Sequence, residues 1–333
     1  MNNMKNAKEK MSMATEEKFN QIYQTIVSEN TEDMEIARGE ARVENRHNMF
    51  VLAIIIIINI VFIKLIGDSL EALSAVLIFI SMLGYAIFKH RGGKSKIEKY
   101  RMDFKTKIVG TMIKSFEEQL EFIPQNGLPS TTFGEAEFES FDRYYSEDLI
   151  QGILKNNCNF SMAEVLTQNE YTDSDGNTSY STVFSGLFAK IETPKPFNTL
   201  LYLRKDRKDK NLLARTLTGK LPFDKLRIQL DSPEFEKIFD VYASDKIIAL
   251  QLLTADIMED LMQFYNEMKM NYELTIKENC MYIRFWCGSM FETAKLKKFS
   301  LDRDTLYKYY RMLDFTFCLT NKMVKLLNET QYD

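Results

Sequence analysis

With 333 residues, 45% hydrophobic and 27% charged, the chain is long enough to bury a sizeable core. The net charge is only −4, and the part beyond residue 107 is acidic, which argues against nucleic acid as its partner. The only histidines are His47 and His90, so the distal region has no imidazole; this excludes Ser-His-Asp, Cys-His and HExxH sites within it.

Residues 1–13 are polar with scattered Met and read as a mobile start. From Thr15, the spacing of Phe19, Ile22, Tyr23 and Ile26 predicts a helix with one narrow apolar stripe. It is expected to break near Asn30-Thr31, where Thr31 and the acids after it resemble a capped restart. Two apolar runs follow, Phe50–Ile66 and Ala72–Phe88, joined by Gly67-Asp68-Ser69-Leu70-Glu71. Each run as a helix rises roughly 25 Å, slightly under the hydrocarbon thickness, so snorkelling ends supply the difference. Lys64 lies near an end, and Asn59 is the one polar group deep in a span; its amide is expected to bond across helices, to Ser81 or Ser74 or to a second copy.

Charge beside the runs sets the orientation. Arg42 and Arg46 precede the first run, and a collar containing Lys89, Arg91, Lys94, Lys96, Lys99 and Arg101 follows the second, whereas the connecting loop is acidic. Both termini are therefore expected in the cytosol. The collar serves as a topology signal and is also a candidate surface for anionic membrane lipids, at about 1 kcal/mol per base. A cleaved secretory signal fits poorly, because the first run starts some fifty residues in with no small-residue cleavage pattern after it.

Past Gly92-Gly93, the stripe Ile97, Tyr100, Phe104, Ile108, Met112, Phe116 and Leu120 predicts a long amphipathic helix reaching Phe122. Its candidate partners are the N-terminal helix and a second copy of itself. Pro124, Gly127 and Pro129 then mark a domain boundary.

Beyond Ser130, β-branched and aromatic segments predominate. Asp148–Leu154 and Cys158–Asn169 read as a hairpin about Asn156-Asn157, with a Ser146-capped helix as the competing reading. Tyr180–Glu192 reads as a strand entered through the loop Asp173–Asn177. Leu200–Leu203 and Leu226–Leu230 continue the sheet, with Arg204–Lys210 between them as a solvated charged loop. Ser232-Pro233-Glu234 starts a short helix, Ser244 the helix Lys246–Leu253, and Thr254 the helix Asp256–Met268. Tyr272–Lys277 and Met281–Trp286 form a hairpin about Glu278-Asn279, and Asp302–Leu327 a final helix.

Candidate chemistry is sparse. Neither a GxxxxGK[ST] loop nor GxGxxG occurs. Cys158, Cys280, Cys287 and Cys318 have no metal or disulfide spacing and read as reduced core residues. Asp142, Glu147 and Asp148 offer carboxylates for acid-base or Mg²⁺ chemistry, although acids at the start of an element commonly cap or face solvent. Phe141, Tyr144 and Tyr145 offer a candidate surface, with core packing as the competing reading.

The ordered set Phe141-Asp142-Arg143-Tyr144-x-x-Glu147-Asp148-x-Ile150-x-Gly152, Phe184-x-Gly186-Leu187-Phe188 and Pro233-Glu234-Phe235-Glu236-x-x-Phe239-x-Val241-Tyr242, with Phe291-Glu292 later, resembles the bacterial DUF3137 family over roughly residues 40–330. The stretch Asn156-Asn157-Cys158 departs from that pattern. The resemblance implies two spans before a globular region and LemA-type membrane proteins as partners. It implies no activity, so no functional residue transfers.

The expected architecture is α+β, in four parts: an N-terminal cytosolic helical segment (1–48), a two-helix transmembrane hairpin (49–89), a basic amphipathic stalk helix (90–125), and a cytosolic antiparallel sheet with packed helices (126–333). The expected function is a membrane-anchored adaptor or sensor module with no cofactor, able to self-associate through hairpin and stalk; the alternative is a membrane-tethered, carboxylate- or Mg²⁺-dependent hydrolase or phosphoesterase.

Overall fold

The structure, a computed structural model, describes residues 2–66, 78, 80–82, 84–85, 95–205, 227–291, 296 and 302–329. The chain divides into two compact units: Met1–Phe19 with Gly110–Phe291 and Arg303–Asp333, and Asn20–Val109 with Glu292–Asp302.

Helix α1 runs unbroken from Asn2 to Ile66. The break expected at Asn30-Thr31 does not occur, because both side chains turn back onto their own helix: Asn30 donates to the Ile26 carbonyl (3.0 Å) and Thr31 to that of Val27 (2.5 Å). Among the described residues α1 is the one helix long and apolar enough to cross a membrane. The second apolar run lies outside the described residues, apart from helical positions 78, 80–82 and 84–85. Within the same unit Asn59 Nδ2 donates to Ser81 Oγ (3.1 Å) and to the Ile55 carbonyl (2.7 Å), while Ser74 is not among the described residues.

Helix α2 (Lys96–Asp103) continues through a π-helical segment, Phe104–Val109, into α3 (Gly110–Lys114). The helix therefore stops before the expected Phe122. Its stripe residues Tyr100, Phe104 and Ile108 are buried, as are Ile26, Met34 and Ala41 of α1. Three polar ties join the two helices in antiparallel order. Lys107 meets Asp33 (2.9 Å), Lys96 meets Glu40 (3.6 Å), and Glu44 accepts from Ser95 Oγ and the Lys96 N–H at the start of α2. Hydrogen bonding by Lys107 lowers the Asp33 carboxyl and raises the lysine in return.

The other unit is built on nine antiparallel strands in the order β1-β2-β3-β4-β9-β8-β5-β7-β6. In chain order these are β1 (Glu121–Ile123), β2 (Arg143–Ile153), β3 (Asn159–Thr172), β4 (Thr178–Glu192), β5 (Leu201–Lys205), β6 (Arg227–Ile228), β7 (Phe239–Ala243), β8 (Tyr272–Lys277) and β9 (Cys280–Phe285). The helices are α4 (Ser130–Glu135), α5 (Pro233–Glu236), α6 (Lys246–Leu252), α7 (Ala255–Met268) and α8 (Arg303–Glu329). The α+β class expected from the pattern is the one observed.

Local chemistry explains most of these boundaries. Asn157 takes a positive φ of 60° in the β2–β3 turn, so the hairpin reading holds there and the Ser146 helix does not form. Thr254 caps α7 as expected, but Asp245 rather than Ser244 caps α6, accepting from the Ile247 and Ile248 N–H groups. Ser244 Oγ instead accepts the Leu200 N–H. Ser232 occupies the N-cap position of α5 without a side-chain bond. Arg204, expected in a solvated loop, is buried within β5; residues 206–226 lie outside the described set.

The sheet has two unlike faces. One carries Tyr272 and Phe285 against Phe264 of α7 and Phe315 of α8, whose rings stack at 4.0 Å. The other supports α4 through Phe133, which packs among Phe138, Phe184 and Phe188.

Candidate functional site

Directly paired residues point to the same side of a sheet. Following the register across the strands therefore picks out one polar rung on the α4 side. Glu121, Gln151, Ser161 and Lys190 succeed one another from β1 to β4. Tyr282, Thr275 and Tyr202 extend the rung across β9, β8 and β5. The stretch following α4 lies along it: Glu135 accepts from Lys190 (2.9 Å) and Tyr282 (3.1 Å), the Ala136 carbonyl from Thr275 (2.9 Å), and Glu137 from Tyr202 and Lys277 (2.5 Å each). Those donors lower the Glu137 carboxyl, Lys277 most. Burial works against the Lys190 ammonium, but Glu135 and Glu192 outweigh it and raise its pKa.

Where that stretch no longer covers the rung, a groove of about 470 Å³ opens, lined by Gln119, Glu121, Gln151, Asn159, Ser161 and Lys190 among others. Lys190 is already shared between Glu135 and Glu192, so the groove offers hydrogen bonding rather than a free cation.

Next to the rung, Arg284 bonds Glu273 and Glu139 at 2.7 Å each, and Arg204 donates to Thr275 Oγ1 (3.0 Å) and the Leu274 carbonyl (2.9 Å). Both guanidinium groups lie over the Phe138 ring. Burial pushes Arg204 down to about 10. The sequence reading passed over this network, although the charges of Glu273 and Arg284 inside the apolar strands YELTIK and CMYIRF were its signal.

The carboxylates flagged in the sequence separate. Asp142 closes the end of β2, where its carboxylate accepts the Glu170 N–H (2.8 Å) and its own N–H donates to the Gln168 carbonyl (3.0 Å). Glu147 pairs across to Glu164, and a bulge after it turns Asp148 inward at φ 60°. Carboxylate oxygens of Glu147, Asp148 and Glu164 then lie within 4.8 Å of one another. Glu164, which the sequence reading missed, already accepts from Ser289 Oγ (2.9 Å) and the N–H groups of Met290 (2.6 Å) and Phe291 (2.5 Å). That commits it to holding the segment after β9.

The flagged aromatics also divide. Phe141 and Tyr144 pack on Phe133, and Tyr144 donates to the Leu128 carbonyl (2.9 Å); burial pushes its phenol up to about 12. Tyr145 stays exposed. It neighbours a two-stranded ribbon, Gln168–Thr172 paired with Thr178–Thr182, that extends past the end of β2 and carries exposed Tyr171 and Tyr180. The Arg143 guanidinium stacks on Tyr180 at 3.9 Å. Of the basic residues flagged beside the spans, Arg46, Lys96, Lys99 and Arg101 are exposed and Arg42 is half-buried; Lys89, Arg91 and Lys94 lie outside the described residues.

Two glycines of the family-like pattern have steric reasons. A Cβ on Gly186 would stand 1.8 Å from the Phe285 carbonyl oxygen, and one on Gly152 would stand 2.5 Å from that of Gln119.

No curated protein matches the sequence. Among solved structures, that of the mycobacterial trehalose monomycolate transport factor A, TtfA, is similar at a TM-score of 0.31 and 7% identity, over 65% of this chain and 94% of that one. Residues 182–325, from within β4 into α8, match the family model described as protein of unknown function DUF3137.

Proposed function

We propose that the protein is a membrane-anchored binding module, an adaptor or sensor whose sheet unit works in the cytosol. The observation that carries the binding half is the ribbon beyond β2, where Arg143 stacks on exposed Tyr180, with exposed Tyr145 close by on β2 and exposed Tyr171 on the opposite face of the ribbon. Tyr and Arg are the residues that dominate binding energy at protein interfaces. The anchoring half rests on the apolar stretch of α1 and the basic residues around Arg42, Arg46, Lys96, Lys99 and Arg101. In this reading two spans cross a bacterial inner membrane, both termini are cytosolic, and the partners are membrane lipids, a LemA-type or other membrane protein, and a second copy through hairpin and stalk.

The test is mild-detergent purification of the full-length chain from its host, followed by mass spectrometry. A protein retained at near-equal amount supports the adaptor, and lipid alone counts against it. For topology, a thiol reagent applied to intact cells is expected to label Ser69→Cys and to spare Ser174→Cys at the ribbon tip.

A second reading, a carboxylate-dependent hydrolase or phosphoesterase, draws on the approach of Glu147, Asp148 and Glu164. Calorimetric binding of Mg²⁺ or Mn²⁺ that disappears in Asp148→Asn would favour it.

A further inference from the structure

Strand β4 pairs with β3 from end to end apart from a bulge at Val183, but with β9 only from Leu187 onward. At Ser185 the carbonyl is taken by the Gly288 N–H. From Thr178 to Phe184, the edge of β4 that would face β9 has no strand partner among the described residues. This edge reads Thr-Ser-Tyr-Ser-Thr-Val-Phe, rich in β-forming residues and without the Lys, Pro or inward charge by which exposed edges are usually protected. The opposite edge of the ribbon is treated differently, since Asp142 closes it at Gln168 and Glu170.

The ribbon is also held in shape before any partner arrives. Asp173 Oδ1 accepts the N–H groups of Asp175 (3.0 Å) and Asn177 (2.8 Å) in the tip, and Arg143 grips Glu170 (3.4 Å) and Tyr180 at the base. An edge ordered in advance loses less conformational freedom on docking.

We propose that the Thr178–Phe184 edge adds a strand from another protein, and that this strand is basic. The charge of the ribbon selects the occupant. Asp173 and Asp175 make the tip acidic, Glu170 at the base is already met by Arg143, and no Lys or Arg occurs from Gln168 to Ala189. A second copy of the same edge brings no cation to these carboxylates, whereas a basic strand pairs its backbone with β4 and its side chains with the acids. The inference rests on the binding-module reading and names the partner chemistry of that surface.

The experiment uses the full-length protein in detergent and three synthetic peptides of β-forming sequence: one alternating with lysine, one with glutamate in its place, and the lysine peptide N-methylated along one backbone edge. Fluorescence anisotropy is expected to show the lysine peptide binding about tenfold or more tighter than the glutamate peptide, weakening with salt. Binding is expected to vanish on N-methylation and to fall in Asp175→Asn, which removes a carboxylate but keeps the backbone N–H that Asp173 accepts. Equal binding of the glutamate peptide overturns the basic partner, equal binding of the N-methylated peptide overturns strand addition, and no binding overturns both. If a near-stoichiometric partner co-purifies but the lysine peptide does not displace it, this assignment falls while the adaptor reading stands.

Discussion

Arg284 Nη2 lies 2.7 Å from Glu273 Oε2 with the two side chains 1% and 2% exposed, in the middle of the sheet. Such a pair adds little over well-packed apolar residues, but removing one member leaves the other charged and buried. Arg284→Met is expected to lower unfolding free energy by about 3–5 kcal/mol. The double variant Arg284→Met with Glu273→Leu is expected to recover a substantial part, as read from urea unfolding curves. Trp286, the only tryptophan, has the Arg284 guanidinium 4.1 Å above its ring, so its emission is expected to shift in both variants.

Gly186→Ala is expected to destabilise the protein strongly, because the added methyl must displace the Phe285 carbonyl where β4 meets β9. Gly134→Ala is the control. It lies in α4 with nothing within 4 Å of the added carbon, so it is expected to gain about 0.5–1 kcal/mol. Thermal melts of the two variants are expected to move in opposite directions.

Lys269 ends α7 in the left-handed region at φ 51°, with its N–H on the Tyr265 carbonyl. Lys269→Gly removes the steric penalty of a Cβ there and is expected to raise stability by about 0.5–1 kcal/mol. Chemical unfolding checks the direction.

Glu137 supplies a pH dependence. Lys277 and Tyr202 lower its carboxyl in the folded state. Its stabilisation is then fully present above the ordinary glutamate range and is lost as pH falls through the lowered value. Because the group is exposed, solvent screening keeps the effect small. Glu137→Gln is expected to flatten the acid limb of a stability-against-pH curve while leaving the limb above neutral pH unchanged.

Much of the fold is legible in the sequence because it is set by short-range chemistry. Positive-φ positions such as Asn157 and Glu278 mark two hairpins, Thr254 caps a helix, and the spacing of Leu306, Tyr309, Tyr310 and Leu313 marks the buried face of α8. The apolar runs and the charges beside them belong to the same kind of information. What fails is local inference where a distant group decides. Asn30 and Thr31 look like a helix break until their side chains bond the preceding turn. Arg204 looks solvated until Glu273, Thr275 and Phe138 are brought around it.

The sequence by itself determined composition, the absence of imidazole beyond residue 90, the succession of elements and the apolar stretch of α1, because each depends on residues near one another in the chain. Only the tertiary structure decided that Asp142 caps a ribbon while Asp148 meets Glu164, that Phe141 and Tyr144 are core while Tyr145 is surface, and that one polar rung joins Glu121 to Tyr202. Strand order and register fix these relations. They arise from pairings between residues far apart in the chain, which no local pattern encodes.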